Sequence, residues 1–445
     1  MTRCVPAALG IALALSASAV APPTARAQEA PADSSLHQFL QGLSDSTDRY
    51  FGLIAAPLDT AGLDSAMAAG LEDPWRGPRT RTRFSYGPVY VFNRVDGTRW
   101  GGSAALSNRG ARWRLGGDLG YAAGSDRWLG GGEVTTGIRR RDTFWRLRVR
   151  GGRRTAGMDR EHEEMRLATL RALVSGSDRQ HYLRRDGVGI AFTGDGAMWH
   201  AGVEYRDALE SPLAVTTRWN LARHALDVPG NLAAAFGRTR EVALEAGARW
   251  PGLPLWSQVT HQTSDRALGS DFDYRRTRVA LAGELPLGGH LSFLPQLAYG
   301  RLGGDPVPQA SFYLGGARTL RSLPGAALGG TGLVLARLDV IGADDLLALA
   351  HLPHPAMFPI QGGLFVATGA VWGADPYGGP GTPAAGWPEK TAWLSEAGAS
   401  LLYRPGVPDD DGYFRLNYGH PLGSGEREAR WSVSYSRALD LLRSF

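Results

Sequence analysis

The sequence predicts an all-β protein, a closed antiparallel transmembrane β-barrel of sixteen strands with a glycine-rich loop folded into its lumen. Three observations predict it. Short segments in which every second residue is apolar recur from Arg99 to the C-terminus. The 445 residues include 60 Gly, 13 Trp and 14 Tyr; glycine lets tilted strands bend, and the two aromatics favour lipid–water boundaries. Finally, Phe312 to Gly330 reads FYLGGARTLRSLPGAALGG, a glycine-rich stretch that carries Arg321.

Taken in chain order, residues 1–27 read as a secretory signal peptide. Arg3 precedes an apolar run from Val5 to Val20, and Ala25-Arg26-Ala27 forms a cleavage site before Gln28. Cys4, the only cysteine, falls within it, so no disulfide framework is expected. Residues 28–90 read as a short periplasmic helical segment and linker. Leu36, Phe39, Leu40 and Leu43 have helical spacing, and Pro74, Pro78 and the RTRTR run mark the linker. Residues 91–445 read as the barrel. Beyond the signal no stretch of 18 or more apolar residues exists, so only a barrel could cross a membrane, because open sheet edges are not satisfied in hydrocarbon.

The alternation assigns faces. In ARWRLGGDLGY, Trp113, Leu115, Leu119 and Tyr121 share one side, while Arg112, Arg114 and Asp118 share the other. Trp145, Leu147 and Val149 oppose Arg146, Arg148 and Arg150. Val203 and Tyr205 oppose Glu204 and Arg206, and Leu244 and Ala246 oppose Glu245. WSVSYS, from Trp431 to Ser436, is the last strand, and the chain ends on Phe445, read as a C-terminal barrel signal. A soluble sandwich would give the same alternation with its apolar side inward. The signal peptide, the aromatics near strand ends and the number of segments favour the barrel, with charged residues lining a watery lumen. The lumen-facing charges are then Arg112, Arg114, Arg146, Arg148, Arg150, Glu204, Glu245 and Arg337.

Long, charged or proline-rich connections, Gly157 to Arg185, Asp207 to Arg238 and Ala374 to Lys390, read as external loops. Short turns such as Asn108-Arg109-Gly110 belong at the opposite end. Net charge is +5, yet the arginines alternate along strands without forming a patch, which argues against a nucleic-acid partner. His351 and His354 lack a third ligand, Asp409-Asp410-Asp411 lacks the spacing of a calcium loop, and no nucleophile elbow, P-loop or HExxH motif occurs. Neither catalysis nor a metal or cofactor is expected.

The segment Phe312 to Val340, with Gly315-Gly316, Arg321 and a following acidic strand, resembles the signature of the BamA/TamA-like superfamily of bacterial surface antigen proteins. Tyr90 to Gly102 is similar to that group's first barrel strand, and Gly412 to Ser436 to its final hairpin. The resemblance implies an outer-membrane barrel of sixteen strands whose lumen loop is locked by the arginine against acidic wall residues. Carried over by position, the lock consists of Arg321, Gly315 and Gly316. Ser322 stands where the group has glycine, and Ala367, in Phe365-Val366-Ala367-Thr368-Gly369, stands where it has the wall aspartate. Asp339, beside Arg337, is the substitute partner expected here. The resemblance further implies outer-membrane protein assembly or translocation. The expected partners are outer-membrane lipid, the barrel-assembly machinery during insertion and client outer-membrane polypeptides. An anion-preferring pore and a structural surface-antigen barrel are the alternatives. The group's periplasmic client-capture domains have no convincing counterpart in residues 28–90.

Overall fold

The computed structural model describes residues 82–108, 113–159, 169, 172, 178–218, 230–352, 359–381, 386–403, 412–423 and 427–437. The expected signal peptide, the helical segment before residue 82, Arg112 and Phe445 lie outside them.

The first half of the sheet comprises β1 (Thr82–Asn93), β2 (Gly97–Asn108), β3 (Trp113–Ala122), β4 (Arg127–Arg140), β5 (Thr143–Gly157), β6 (Tyr182–Asp195), β7 (Trp199–Pro212), β8 (Gly237–Arg249) and β9 (Leu255–Ser264). The second half comprises β10 (Tyr274–Gly283), β11 (Leu285–Leu287), β12 (Leu291–Gly304), β15 (Gly332–Asp345), β16 (Ile360–Trp372), β17 (Leu394–Tyr403), β18 (Gly412–Leu422) and β19 (Arg430–Arg437). Between β12 and β15, β13 (Phe312–Leu314) and β14 (Leu328–Gly330) form a separate hairpin. The main sheet therefore has 17 strands, each paired antiparallel to its chain neighbour from β1 through to β19. Two of them, β10 and β11, pair with the same partner, β12, and lie end to end across Glu284.

The first strand starts at Thr82, earlier than the boundary at residue 90 read from the sequence. RTRFSYGP looks like a linker because Arg and Pro dominate it. From Thr82 onward its backbone nevertheless pairs, Thr82 opposite Asn108 and Pro88 opposite Gly102.

One face of the sheet is apolar and exposed. Leu115, Leu119, Val134, Ile138, Val149, Ile190, Val203, Leu244, Val279, Leu297, Leu364, Leu401 and Val433 all lie open on it. An exposed apolar face spread over nearly every strand far exceeds what a water-soluble monomer carries, and it matches a surface made for hydrocarbon. On β4 it runs from Trp128 to Ile138, about 33 Å along the strand and about 23 Å at a tilt of about 45°, close to a barrel's apolar band. Aromatic pairs mark its two edges. Tyr121–Trp128 and Tyr418–Trp431 stand at one end, Trp145–Phe192 and Phe414–Tyr435 at the other. No helix among the described residues is long and apolar enough to cross a membrane.

The opposite face is polar and largely covered. Glu204, Arg206, Glu241, Glu245, Arg276, Arg278, Arg337, Asp339, Glu396 and Arg415 are all buried on it. The segment from Asp305 to Thr331 lies against this face and shows that the sheet curves. Phe312 packs with Leu335 on β15 and Ala367 on β16, whereas the adjacent Tyr313 packs with Met158 after β5 and Leu183 on β6. Consecutive residues reach strands far apart in the meander only if the sheet wraps around them.

Candidate functional site

The inner-wall lock is built on four strands, β15 to β18. Arg337 and Asp339 share the inner face of β15 at the two-residue strand period. Asp339 accepts a hydrogen bond from Arg321 Nη2 of the loop at 2.6 Å and forms ion pairs with Arg337, whose Nε lies 2.9 Å away, and with Arg415 of β18 at 3.5 Å. The Arg321 guanidinium also lies over the Phe365 ring, 4.1 Å from its centre, where the ring's negative face meets the cation. Arg337 reaches onward and donates from Nη1 to the Arg318 carbonyl at 2.8 Å.

A second carboxylate holds the loop backbone. Glu396 on β17 is fully buried, and the N–H groups of Arg321 and Ser322 donate to its two oxygens at 2.8 and 2.6 Å. Ala367, which stands where the sequence resemblance places an aspartate, is the direct cross-strand partner of Glu396. A wall carboxylate thus stands one strand sideways from Ala367 at the same height. Two buried carboxylates face three buried guanidiniums here, and Coulomb attraction plus hydrogen bonding offsets their desolvation.

Glycines let the loop come this close. Gly315 and Gly316 have φ of +121° and +100°, a backbone region that side-chain-bearing residues avoid, and a Cβ on Gly315 would sit 2.1 Å from the Pro324 carbonyl oxygen. On the wall, a Cβ on Gly419 of β18 would meet the Ser322 nitrogen at 2.9 Å.

The ends of the strands near this loop are capped by other loops. The β1–β2 turn is itself buried. Arg94 donates to the Gln180 carbonyl at 2.7 Å and its backbone N–H to Asp178 at 2.9 Å, while Asp96 pairs with Arg184 at 2.8 Å. Burial pushes the Arg94 guanidinium below its ordinary range, and Asp178 opposes that shift. The His181 ring connects three further connections. Its Nδ1 receives the Leu232 N–H at 3.0 Å, so Nε2 carries the proton and donates to the Tyr377 hydroxyl at 3.1 Å. Tyr377 in turn donates to the Ala326 carbonyl of the Asp305–Thr331 segment.

The structure brings Arg321, Gly315, Gly316, Arg337 and Asp339 together at this lock. The other sequence-derived charges are elsewhere. Arg150 on β5 and Glu204 on β7 pair at 2.6 Å across β6, over the small Gly189, and Glu245 lies 3.6 Å from His200. Arg114 and Arg146 are exposed near the short-turn end, Arg146 over the Phe144 ring, and Arg148 is half-buried. Arg415 reads from the alternation as a lumen-facing charge but not as part of the lock, and Glu396 is not singled out by the sequence. Arg99, Asp118 and Arg154 form a further inner cluster.

No protein-family model matches the chain, and no curated protein matches it. Among solved structures it is similar to BamA from Haemophilus ducreyi lacking POTRA domains 1–3, at 13% identity and TM-score 0.49, over 80% of this chain and 70% of that one. It is also similar to CdiB from Escherichia coli, at 10% identity and TM-score 0.44, over 81% of this chain and 67% of that one. CdiB from Acinetobacter baumannii matches at 9% identity and TM-score 0.41, over 80% of this chain and 65% of that one.

Proposed function

We propose that this chain is a plugged outer-membrane β-barrel that assists assembly or translocation of outer-membrane polypeptides. Taking β10 and β11 as one broken strand makes sixteen around the wall, an even number as in bacterial single-chain barrels, with β1 and β19 meeting at the closing seam. The long connections then face outward and the short ones face the periplasm. A client strand would be taken up at the seam by main-chain pairing.

The observation that carries the reading is the locked loop. A segment whose backbone and arginine are both held by buried wall carboxylates occupies the space a passive pore would leave open. The inner arginines favour an anion-preferring pore as the second reading, but Arg150, Arg184 and Arg206 are each matched by a carboxylate within 2.9 Å, which lowers the field a solute anion would meet.

Planar-bilayer recording separates the two. Near-silence broken by rare large openings fits the plugged barrel, and a steady anion-selective current from the unmodified protein overturns it. Depletion in the native host should then lower the amounts of folded outer-membrane proteins. An unchanged outer-membrane protein complement would leave the assembly role without support.

A further inference from the structure

The apolar face carries one patch of a different character. On the outward side of β9, β10 and β12, His261, Thr263, Thr277, Arg275 and Arg301 occupy adjacent register positions. Thr263 lies opposite Arg275, His261 opposite Thr277, and Thr277 opposite Arg301. Arg275 and Arg301 are therefore diagonal neighbours, about 7–8 Å apart. The two threonines flank the imidazole, with Thr277 Oγ1 at 2.8 Å from Nδ1 and Thr263 Oγ1 at 3.1 Å from Nε2.

The height of the patch is defined. Arg301 is two residues beyond Tyr299 on the same face of β12, and Tyr299 packs against Trp372 and Trp387 with ring centres 6.3 Å apart in each case. The next outward row toward the middle of the strands is apolar, Val259, Val279 and Tyr299. The patch thus begins where the aromatic edge of the apolar band ends.

The two arginines are exposed, and neither has an ion-pair partner among the described residues. Other outward arginines at this end are satisfied, Arg153 by Asp186 at 2.6 Å and Arg238 by Asp207 at 2.7 Å. The nearby carboxylates are Asp265, which accepts the Ala267 N–H in the turn after β9, Asp305, which accepts the Asp273 N–H and pairs with Arg266 at 3.7 Å, and Asp273 itself, two residues before Arg275. Two free guanidiniums over hydroxyls and an imidazole, at the level of lipid headgroups, match the charge and acceptor geometry of a phosphate.

We infer that Arg275 and Arg301, with His261, Thr263 and Thr277, form a binding site for the phosphate of a membrane lipid headgroup. The inference rests on the membrane reading above and adds a specific lipid contact to it.

The test uses the full chain in a non-ionic detergent, with native mass spectrometry and thermal unfolding read against added short-chain phosphatidic acid. The same-chain diacylglycerol and inorganic phosphate serve as separate probes. Wild-type protein should retain phosphatidic acid and not diacylglycerol, and Arg275→Gln/Arg301→Gln should weaken retention by about tenfold, of the order expected for losing two charge-assisted contacts at a partly wet surface. Arg153→Gln should behave as wild type. Equal retention by the double variant, or equal retention of diacylglycerol, overturns the site. A response to inorganic phosphate alone as large as that to the lipid overturns the headgroup assignment. Membrane fractionation of the same variants keeps the two failures apart: a protein recovered without detergent in the soluble fraction defeats the membrane reading, whereas a membrane-inserted protein that ignores the phosphate defeats this inference alone.

Discussion

Replacing Asp339 by Asn keeps the shape of the lock and removes its central charge. The side chain is 4% exposed, and its neighbours Arg321, Arg337 and Arg415 are 1%, 0% and 2% exposed. Solvent therefore offers the three cations little compensation. Breaking a buried pair in this manner costs about 3–5 kcal/mol, and the loss shifts the equilibrium toward local release of the loop, which is also held by Glu396 and by the apolar packing of Phe312, Tyr313 and Leu320. Glu396→Gln is the complement. One Gln oxygen can replace only one of the two acceptors, and its NH2 would face a backbone N–H, for a cost of about 1–3 kcal/mol. Limited trypsin digestion of the folded protein reads this directly, because Arg318 and Arg321 are buried cleavage sites in the loop. When reclosing outpaces cleavage, the rate follows the open population, so Asp339→Asn should accelerate cutting on the order of 100-fold or more. Since both carboxylates hold one segment, the double variant should fall short of the sum of the singles. Unchanged cleavage in Asp339→Asn, with barrel folding intact by heat-modifiability, would refute the lock; fully additive effects would refute its unity.

Three further outcomes follow from other contacts. Gly419→Val places a branched side chain where the Ser322 nitrogen lies 2.9 Å from a built Cβ, so the loop should become protease-sensitive while the strands remain paired. Arg94→Gln should raise amide exchange at residues 178–181 by loosening the buried β1–β2 turn, at about 1–3 kcal/mol; exchange equal to wild type would show the contact to be dispensable. Tyr313 is fully buried, and burial, followed by the nearby Tyr377 and Asp159, raises its phenol above the ordinary range. A raised folded value means that its stabilising contribution is complete below about pH 10 and declines above it. Ultraviolet titration should show Tyr313 ionising only with release of the loop, and Tyr313→Phe should remove that step.

The strands were legible because their period of two is written in neighbouring residues. Leu115, Leu119 and Tyr121 announce an apolar face with no knowledge of their partners. Asp339 was also legible, since it sits two residues from Arg337 on the same face as the expected lock. Glu396 was not. It is a single carboxylate in LSEAGASLLY, and its role depends on facing Ala367 across β16 and β17, a register that no local pattern encodes. The start of β1 was hidden for a related reason: arginines and Pro88 obscure the alternation, and only pairing with β2 reveals the strand. The burial of Arg94 was hidden too, because a polar turn looks solvated until distant loops close over it.

The position of Glu396 in the chain has a temporal consequence. The loop it holds is made before β17, and Gly419, which admits that loop, lies later still on β18. During biogenesis the stopper therefore cannot seat until nearly all of the wall has been recruited. On the proposed barrel reading, an intermediate lacking the last three strands has neither Glu396 nor Gly419 to receive the loop, so its bore stays unsealed.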